Sequence, residues 1–337
     1  MANILVTGGA GYVGSVCCRQ LVERGHHVAV VDDLSAGHAT AVPQGVHLHI
    51  VDIGDRRAMR QVLASDNFGV VFHFAAKALI PESVYNPGVF FDSNVASGIA
   101  LLEEVRAAGI KKFVFSSSAA VYGTPRSTPI AEDHPKNPVN PYGETKLMLE
   151  RALSWYANAY EWTVVAFRYF NACGGTPAVG EDHRPETHII PLLLQVASGE
   201  REYFEVFGYD YATPDGTCLR DYVHVLDIAD AHIRALQAPD HPGMTAYNIG
   251  TGASLSVRHV CHVVEQITGI KLRTRDAARR VGDPAILCAN PERLMARLGW
   301  KPRFSDIEQI VRSAWEWKQK HPVGYGMQGV EAVEHSG

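Results

Sequence analysis

Tyr142 and Lys146 are four positions apart in the segment PYGETK and form a YxxxK pair. On a helix, residues i and i+4 lie on one face, so the phenol and the ammonium can reach the same reacting atom. A free tyrosine has a pKa of about 10 and is a poor base at neutral pH, but a nearby positive charge favours the phenolate. The pair therefore indicates proton transfer by Tyr142, although YxxxK alone is common by chance.

A run of serines at 116–118 precedes this pair and follows an apolar segment typical of a strand. Serines at the carboxyl end of a parallel strand lie where such sheets bind ligands. The run therefore predicts a ligand contact. The alternative is a polar turn that caps the next helix.

Residues 7–14 read TGGAGYVG and contain Gly9-x-Gly11-x-x-Gly14 between a predicted strand and a predicted helix. Glycines let the backbone approach a pyrophosphate, and the helix N-terminus supplies amide donors and a favourable dipole. Asp32 ends the second predicted strand, 18 positions after Gly14. Its carboxylate can bind an adenosine ribose and would repel a 2′-phosphate. The loop predicts NAD rather than NADP, and the alternative is an ordinary strand-to-helix turn.

Asp52 and Ile53 end the third predicted strand. Two interpretations stay open from spacing alone: the two residues lie beside the adenine of the dinucleotide, or Asp52 caps the helix that follows. The glycine loop, Asp32, the serines and the YxxxK pair occur in a sensible order along the chain. Their joint occurrence by chance is negligible.

The elements that must position these residues are short apolar runs that alternate with helical stretches. We expect strands at 4–6, 28–31, 48–51, 69–73, 112–116 and 162–168, and helices ending near 25 and spanning 99–108 and 142–160. Continuous Val, Ile and Phe indicate strands buried on both faces, and hence a parallel sheet. The repeated βα units predict an α/β fold, a doubly wound parallel sheet of the Rossmann type with a smaller, mixed substrate-binding lobe.

The texture of the sequence changes after about residue 175, where Gly, Pro, Asp and His become frequent. We expect 1–175 to form the NAD-binding domain. Residues 176–327 would form mainly the substrate-binding lobe, from which segments can return to the first domain. The stretch 328–337 has no periodic pattern and is predicted to be a loose tail.

The composition excludes several classes of protein. The chain has 337 residues, a formal net charge of −5 and no Lys/Arg block, so nucleic acid is not expected as a partner. The six cysteines show neither a CxxC pair nor the Cys/His spacing of a zinc site, so we expect buried thiols and no metal. We see no signal peptide and no apolar run of about 20 residues, and expect a cytoplasmic protein without a membrane partner.

To about residue 325, the chain resembles the UDP-glucose 4-epimerases of the extended short-chain dehydrogenase/reductase family. The matching blocks are TGGAGYVGS, FHFAA, SSSAAVYG, PYGETK, FRYFNACG, YNIGTG and the late RRVGD. Many nucleotide-sugar enzymes share the first blocks, whereas DGT-x-x-RDYVHV-x-D-x-A and GEDH-x-PETH at 180–188 are more specific to the epimerases. The resemblance implies interconversion of UDP-glucose and UDP-galactose by transient, NAD-mediated oxidation at sugar C4.

The resemblance also implies roles for single residues. The catalytic residues would be Tyr142, Lys146 and Ser118, the last bonded to the reacting sugar oxygen. The NAD site would comprise Gly8, Gly11, Tyr12, Val13, Gly14, Asp32, Asp33, Leu34, Asp52, Ile53, Phe74, Ala75, Ala76, Lys77, Ser93, Asn94, Tyr142, Lys146, Tyr169 and Phe170. The UDP-sugar would contact Ser118, Tyr142, Asn171, His188, Ile189, Phe207, Arg220, Arg280, Asp283 and Leu287.

Two of these residues, Arg220 and Arg280, can make charge-assisted hydrogen bonds to a diphosphate. For Arg220 the alternative is a salt bridge to Asp221 or Asp227.

Helices 99–108 and 142–160 carry apolar residues at helical spacing on more than the side that faces the sheet. In the resembled family such helices pair across a two-fold axis as a four-helix bundle, so the resemblance implies a homodimer. The alternative is that the additional apolar residues pack under the smaller lobe.

Three positions depart from the family pattern. Ala120 stands where many members have threonine, which removes a hydroxyl near the sugar. Lys77 falls one position before the family's loop lysine, so its contact with the cofactor is in question. Leu287 stands where the family often has a tyrosine or a small residue beside the sugar. Since leucine is smaller than tyrosine, we expect UDP-N-acetylglucosamine as a secondary substrate, the alternative being that Leu287 is only core.

Other functions stay open. Nucleotide-sugar 4,6-dehydratases resemble this chain but carry an Asp-Glu pair where it has Ala119 and Ala120. A UDP-glucuronate epimerase or decarboxylase needs a pocket for the C6 carboxylate. An NAD-binding sensor would need no turnover, which the complete set of Ser118, Tyr142 and Lys146 disfavours.

Overall fold

A seven-stranded parallel sheet forms the centre of the protein. A computed structural model describes residues 1–280 and 282–326. The strands in this part of the chain are β1 (Asn3–Thr7), β2 (His27–Asp32), β3 (His47–Ile50), β4 (Val70–His73), β5 (Lys112–Ser118), β6 (Thr163–Tyr169), β7 (Asn171–Cys173), β8 (Phe204–Phe207), β9 (Leu219–His224), β10 (Gly243–Ile249), β11 (Ser254–Ser256), β12 (Thr274–Ala277) and β13 (Ile286–Leu287).

Helices connect these strands and cover the sheet. They are α1 (Tyr12–Glu23), α2 (Arg56–Ala64), α3 (Ile80–Tyr85), α4 (Pro87–Phe90), α5 (Ser97–Ala107), α6 (Pro141–Tyr160), α7 (Ile189–Ala197), α8 (Val225–Gln237), α9 (Val257–Thr268), α10 (Glu292–Leu298) and α11 (Ile307–Lys320). A π-helical segment, Phe91–Ala96, joins α4 to α5. Short 3-10 segments occur at Ala39–Ala41 and Ala119–Tyr122.

The order across the sheet is β10-β6-β5-β4-β1-β2-β3, and all neighbouring pairs are parallel. The chain runs outward from β1 to β2 and β3, then returns to the other side of β1 for β4. Doubly wound sheets bind ligands in the crevice beyond the carboxyl ends of the strands at such a reversal. The glycine loop and the serine run end their strands at this edge.

Successive residues of β1 pack into different layers. Leu5 belongs to a core shared with α2, α5 and α6, whereas Ile4 and Val6 belong to a core shared with α1 and α8. All three side chains are fully buried. A strand covered on both faces has no solvent side, which explains the continuous apolar run in the sequence.

The second half of the chain builds a smaller lobe. Strands β11, β9 and β13 form one sheet, to which β7 is added through β9, and β12 pairs with β8. Helices α7, α9 and α11 pack around a separate core that contains Ile190, Val264 and Ile310. The predicted α/β fold, a doubly wound sheet with a mixed lobe, is confirmed.

Strand β10 joins the central sheet, although it lies at 243–249 and no sequence pattern indicated it. It pairs with β6 along its whole length. The domain limits at 175 and 327 stay predictions, and the predicted tail 328–337 lies outside the described residues. All six cysteines are free and buried, as expected, and no helix in the described part of the chain is long and apolar enough to cross a membrane.

Candidate active site

One face of helix α6 lies against the end of strand β5. Three α6 residues at one-turn spacing each contact one member of the serine run, and the pairs are Tyr142 with Ser118, Lys146 with Ser116, and Glu150 with Ser117. The Lys146 ammonium donates to a backbone carbonyl oxygen at 2.8 Å. The Ser117 hydroxyl donates to the Glu150 carboxylate at 2.6 Å. The structure therefore brings the YxxxK pair and the serines together.

The start of α6 is built for this close approach. The Asn140 side chain caps the helix by accepting from the Gly143 amide at 2.8 Å, and Pro141 follows as the first helical residue, where a missing N–H costs nothing. A Cβ at Gly143 would lie 2.6 Å from the carbonyl oxygen of Ala120. A side chain at Gly143 would therefore push α6 away from the turn that follows β5.

Ser118 itself caps the 3-10 segment Ala119–Tyr122. Its Oγ accepts from the Ala120 amide at 3.1 Å. A hydroxyl has one donor and two acceptor positions, so this cap leaves capacity for Tyr142 and for a ligand. The capping alternative and the ligand contact are compatible.

Burial dominates the electrostatics of this region. Burial lowers the pKa of Lys146 to about 7, against the effect of the Glu150 carboxylate. Burial raises the pKa of Tyr142, against the hydrogen bond with Ser118. Burial, followed by the charge of Lys146, lowers the pKa of His73 to about 3. Burial thus opposes a charge on all three groups, and Tyr142 needs a further positive charge to become a base.

A buried polar network, which no sequence pattern indicated, continues from Glu150. Arg168 on β6 donates to the two oxygens of Glu150 at 2.9 and 2.7 Å, and the two side chains are 3% and 4% exposed. Arg168 also donates to the Tyr122 hydroxyl at 2.8 Å, and that hydroxyl donates to Asn248 Oδ1 at 2.6 Å. The network joins α6, β6, the 3-10 segment and β10.

The glycine loop leaves open space at the start of α1. Gly8 has a φ of +74°, and a Cβ there would lie 2.3 Å from the Ala75 nitrogen. A Cβ at Gly14 would lie 2.2 Å from the Gly8 carbonyl oxygen. Gly11 caps α1 without a side chain, and its Cβ would meet only that same oxygen, at 3.3 Å. The glycines therefore let the loop pack closely on neighbouring backbone, and the start of α1, which has no side-chain cap, suits a pyrophosphate and thus NAD.

Tyr12 and Val13 form the first turn of α1, next to this space. The Tyr12 hydroxyl donates to the Gly174 carbonyl oxygen at 2.6 Å, which connects the turn to the chain after β7. Val13 packs, partly buried, on the core between α1 and α8.

The carboxylate of Asp32 faces the glycine loop. It accepts from the Ala10 amide at 3.0 Å and from the Leu34 amide at 2.9 Å. Leu34 has a φ of +59°, a left-handed conformation that is uncommon for leucine. Burial raises the pKa of Asp32, and these two amides oppose the shift. The neighbouring Asp33 instead accepts from Ser35.

Asp52 does not cap helix α2. Asp55 is the cap, since its side chain accepts two first-turn amides at 3.0 Å. Asp52 is exposed and accepts from the Gly54 amide at 2.7 Å. The capping alternative for Asp52 is wrong, because Asp55 directly precedes the helix and satisfies its amides. The adenine contact of Asp52 and the buried Ile53 stays a prediction.

Asn94 holds the loop that follows β4. Its side chain accepts from the Lys77 amide at 2.8 Å and donates to the Lys77 carbonyl oxygen at 3.0 Å. It also donates to Thr145 on α6 at 3.1 Å. Asn94 therefore fixes the backbone of Lys77, which follows Ala76, close to α6. Ser93 precedes Asn94 in the π-helical segment. The contact of the Lys77 ammonium with a cofactor stays a prediction.

Two predicted cofactor residues, Phe74 and Tyr169, pack on His232. The Phe74 and His232 ring centroids are 4.9 Å apart, and the Tyr169 oxygen lies 2.8 Å from His232 Nε2. The next residue, Phe170, is buried in an apolar cluster with Ala119. These three aromatic residues lie at the carboxyl ends of strands β4 and β6.

Several predicted substrate residues form one group in the smaller lobe. Arg220 on β9 pairs with Asp283 and donates to the Pro284 carbonyl oxygen at 2.9 Å. The Arg280 guanidinium carbon lies 3.9 Å from the centroid of the Phe207 ring. Burial lowers the pKa of Arg280, and Asp283 opposes the shift. Two guanidinium groups and one carboxylate therefore lie close together.

The alternative salt bridges of Arg220 are wrong, because both carboxylates have other partners. Asp221 accepts from the backbone amides of Thr251, Gly252 and Ala289, at 2.7, 3.0 and 3.0 Å. Asp227 accepts from the amides of Arg303 and Phe304, at 2.9 and 3.0 Å.

Leu287 lies between Arg220 and the 3-10 segment Ala119–Tyr122 that follows the serine run. On β13 it is in register with Arg220 of β9. It is partly buried and packs against the apolar cluster that contains Ala119 and Phe170. Asn171, on β7, is in register with Tyr222, two residues further along β9 than Arg220.

His188 and Ile189 begin helix α7, and His188 belongs to a cluster that sequence reasoning missed. Glu181, His183, Glu186 and His188 each have one donor atom within 4.8 Å of the others. The signal was the spacing Glu-x-His-x-x-Glu-x-His inside GEDH-x-PETH. Burial opposes a charge on His188, but Glu181 and Glu186 outweigh burial and raise its pKa to about 9.

Comparisons with known proteins agree with this geometry. The model of the NAD dependent epimerase/dehydratase family matches residues 4–250. A UDP-glucose 4-epimerase of Streptococcus mutans is 46% identical over 328 residues, which cover 96% of this chain and 98% of that protein. A UDP-glucose 4-epimerase of Lacticaseibacillus casei is 44% identical over 327 residues, which cover 96% of this chain and 99% of that protein.

A solved structure extends the similarity to three dimensions. The crystal structure of UDP-glucose 4-epimerase from Bifidobacterium longum in complex with NAD⁺ and UDP has a TM-score of 0.92 and 35% identity. The match covers 96% of this chain and 99% of that chain.

Glu150→Gln should strongly destabilise the protein, because it leaves the buried Arg168 guanidinium without its counter-charge. Removing one partner of a buried ion pair costs about 3–5 kcal/mol. Urea unfolding followed by circular dichroism measures the loss in the free energy of unfolding.

Asp276→Asn is the matched control for this variant. It removes the carboxylate of the Arg258–Asp276 pair, whose side chains are 41% and 48% exposed. An exposed pair contributes at most about 1 kcal/mol. Equal losses in the two variants would show that the buried network contributes no more than a surface pair.

Proposed function

This chain belongs to the NAD dependent epimerase/dehydratase family, and we propose that it interconverts UDP-glucose and UDP-galactose by transient oxidation at sugar C4. The observation that carries the proposal is the meeting of Ser118, Tyr142 and Lys146 at the carboxyl edge of the sheet, where the glycine loop also lies. Relatives 42–46% identical over nearly the whole chain bear the name UDP-glucose 4-epimerase, which supports it.

Tyr142 is the base in this reaction. Its phenolate takes the proton of the sugar 4-hydroxyl and later returns it. The Ser118 hydroxyl, which lies beside Tyr142, holds the same sugar oxygen. Because burial raises the pKa of Tyr142, the phenolate forms only beside an added positive charge, which the oxidised nicotinamide ring supplies.

The residues at the sheet edge suit NAD. When bound, it would supply a hydride acceptor for sugar C4 and then a hydride donor for the opposite face of the keto sugar. The first turn of α1 would hold the pyrophosphate, Asp32 would bind the adenosine ribose, and Lys146 would reach the nicotinamide ribose. Since the cofactor leaves each cycle in its starting form, no external oxidant is needed.

The arginine group of the smaller lobe holds the UDP moiety. Arg280, stacked on Phe207, keeps its N–H donors available for the diphosphate. Asp283 orients Arg220 beside it. Contacts to UDP are remote from the reacting carbon. The keto sugar can therefore rotate and present its other face to the nicotinamide while the nucleotide stays bound.

Ala119 and Ala120 argue against a 4,6-dehydratase, since water elimination needs an acid–base pair at the turn after β5. The cytoplasmic location stays a prediction from the sequence.

We also propose a homodimer formed through α5 and α6. Met148 and Trp155 are seven residues apart on α6 and therefore share a face of the helix. The side chain of Trp155 is 74% exposed and that of Met148 is 36% exposed. Two large apolar side chains exposed on one face of a long helix indicate an interaction surface, and a second copy of the chain is the partner that the family resemblance implies.

Tyr142→Phe should lower turnover about 10²–10⁴-fold, because it deletes the proton-transfer oxygen and almost no packing volume. Bound NAD should be unchanged. Chromatography with mass detection follows the reaction, in which the wild-type protein should convert UDP-glucose into a second species of equal mass.

Tyr160→Phe is the control, since Tyr160 lies on the same helix and is 41% exposed; its activity should equal that of the wild type. A product lighter by one water would identify a dehydratase. Turnover of UDP-glucuronate alone would identify the alternative epimerase or decarboxylase, and no turnover of either sugar would identify a sensor. Wild-type activity in Tyr142→Phe would remove the assigned base.

Leu287→Tyr should lower kcat/KM for UDP-N-acetylglucosamine relative to UDP-glucose, because the larger ring crowds the sugar 2-position. A steric change of this size is worth about 1–3 kcal/mol. Leu287→Met keeps the volume and should leave the ratio of the two kcat/KM values unchanged. If tyrosine does not alter the ratio, Leu287 is only core.

Trp155→Glu should convert the dimer into a monomer, because it introduces a charge into the centre of the proposed interface. Sedimentation velocity at micromolar concentration measures the species present. Tyr209→Glu changes another exposed aromatic residue, 59% exposed, and should leave the dimer intact. A wild-type protein that sediments as a monomer would refute the dimer.

A further inference from the structure

Four donor side chains meet in the segment before α7. His188 Nδ1 lies 2.8 Å from a Glu186 oxygen and 3.0 Å from a Glu181 oxygen. His183 Nδ1 lies 3.5 Å from Glu181 and 3.6 Å from Glu186. The two carboxylate side chains are only 6% and 4% exposed. The His183 and His188 side chains are 25% and 39% exposed, so the four groups surround one point with buried carboxylates and partly exposed imidazoles.

Hydrogen bonds within this cluster do not satisfy all of its donor and acceptor atoms. Among residues 1–280 and 282–326, neither carboxylate pairs with a lysine or arginine, so any positive charge beside them comes from the two histidines alone. Burying two carboxylates together is costly unless both are neutralised. The single Nδ1 proton of His188 is shared with Glu186 in good hydrogen-bond geometry. Glu181 receives no comparable bond. The buried Nδ1 of His183 also has no hydrogen-bond partner among these residues.

We propose that Glu181, His183, Glu186 and His188 bind one divalent transition-metal ion of the zinc type. One cation at their centre contacts all four donors and neutralises both carboxylates. Two imidazoles and two carboxylates suit such an ion in tetrahedral geometry, where neighbouring donor atoms are about 3.4 Å apart. The two histidines lie 3.0 and 3.5 Å from Glu181 Oε1, and His183 lies 3.6 Å from Glu186 Oε2, which are separations close to this value.

The surroundings support a metal ion at this point. Two backbone amides, of Thr187 and His188, donate to Glu186 Oε1 at 2.7 and 2.8 Å, which orients the carboxylate as a ligand's outer partners do. A cavity of about 40 Å³ adjoins the cluster and is lined by Glu181 and Glu186, and this space accommodates a water ligand. The site has no cysteine, so a search for cysteine spacing does not detect it.

The ion has a structural role that goes beyond the proposed reaction. It ties the segment that carries Glu181 and His183 to the start of α7. It also occupies His188 Nδ1 and leaves Nε2 as the ring nitrogen available to a substrate. Metal binding is therefore measurable whether or not the chain is an epimerase.

The test is a Zn²⁺ titration of the untagged, chelator-treated full chain by isothermal calorimetry, with metal content checked by mass spectrometry. We expect one ion per chain and a rise in Tm on its addition. Glu181→Gln and His183→Gln should each weaken binding at least about tenfold and reduce the rise in Tm. His262→Gln alters an exposed histidine on α9 and should change neither.

The wild-type titration decides the matter even if a variant fails to fold. Absence of one-site binding there overturns the proposal. Binding of equal affinity in wild type and a folded Glu181→Gln or His183→Gln variant, judged by circular dichroism, also overturns it. Unchanged UDP-glucose turnover would leave the metal site standing, whereas loss of turnover in Tyr142→Phe concerns only the proposed reaction.

Discussion

Helix α6 must lie against the end of β5 in a single register for this site to exist. A helix turns about 100° per residue, so a slip of one residue would rotate Tyr142 and Lys146 away from the serines. Two features oppose a slip. Gly143 allows contact with the carbonyl oxygen of Ala120, and the buried Glu150–Arg168 pair fixes the following turns of the helix to β6. The reactive groups therefore depend on one tightly packed helix–strand contact.

The sequence reveals one side of this contact and conceals the other. Tyr142 and Lys146 follow a local rule, i and i+4 on one helix face, and continuous apolar runs likewise identify strands buried on both sides. Glu150 continues the helix spacing, but its partner Arg168 lies 18 residues further along the chain, on strand β6. Which cation meets which buried carboxylate is decided by tertiary packing, about which a local pattern carries no information.

The same limit explains the other differences between expectation and structure. Strand β10 mixes polar and apolar residues because it forms an edge of the sheet, and it pairs with β6 from far along the chain. Asp52 and Asp55 are equally suited by type to cap α2, and only the position of the helix start decides between them. Glycine spacing identifies the cofactor loop. No sequence pattern predicts the left-handed conformation of Leu34, whose backbone amide donates to the Asp32 carboxylate.

Burial also makes the proposed base depend on the cofactor. In the protein alone, burial lowers the pKa of Lys146 to about 7 and raises that of Tyr142, so burial opposes a charge on both groups. A neutral buried pair costs far less free energy than two buried charges, which favours a stable fold before any ligand arrives. The phenolate requires a positive charge beside it, and the oxidised nicotinamide ring brings that charge together with the capacity to accept hydride. Proton transfer and hydride transfer are thereby enabled by one binding event, since neither can begin in the protein alone.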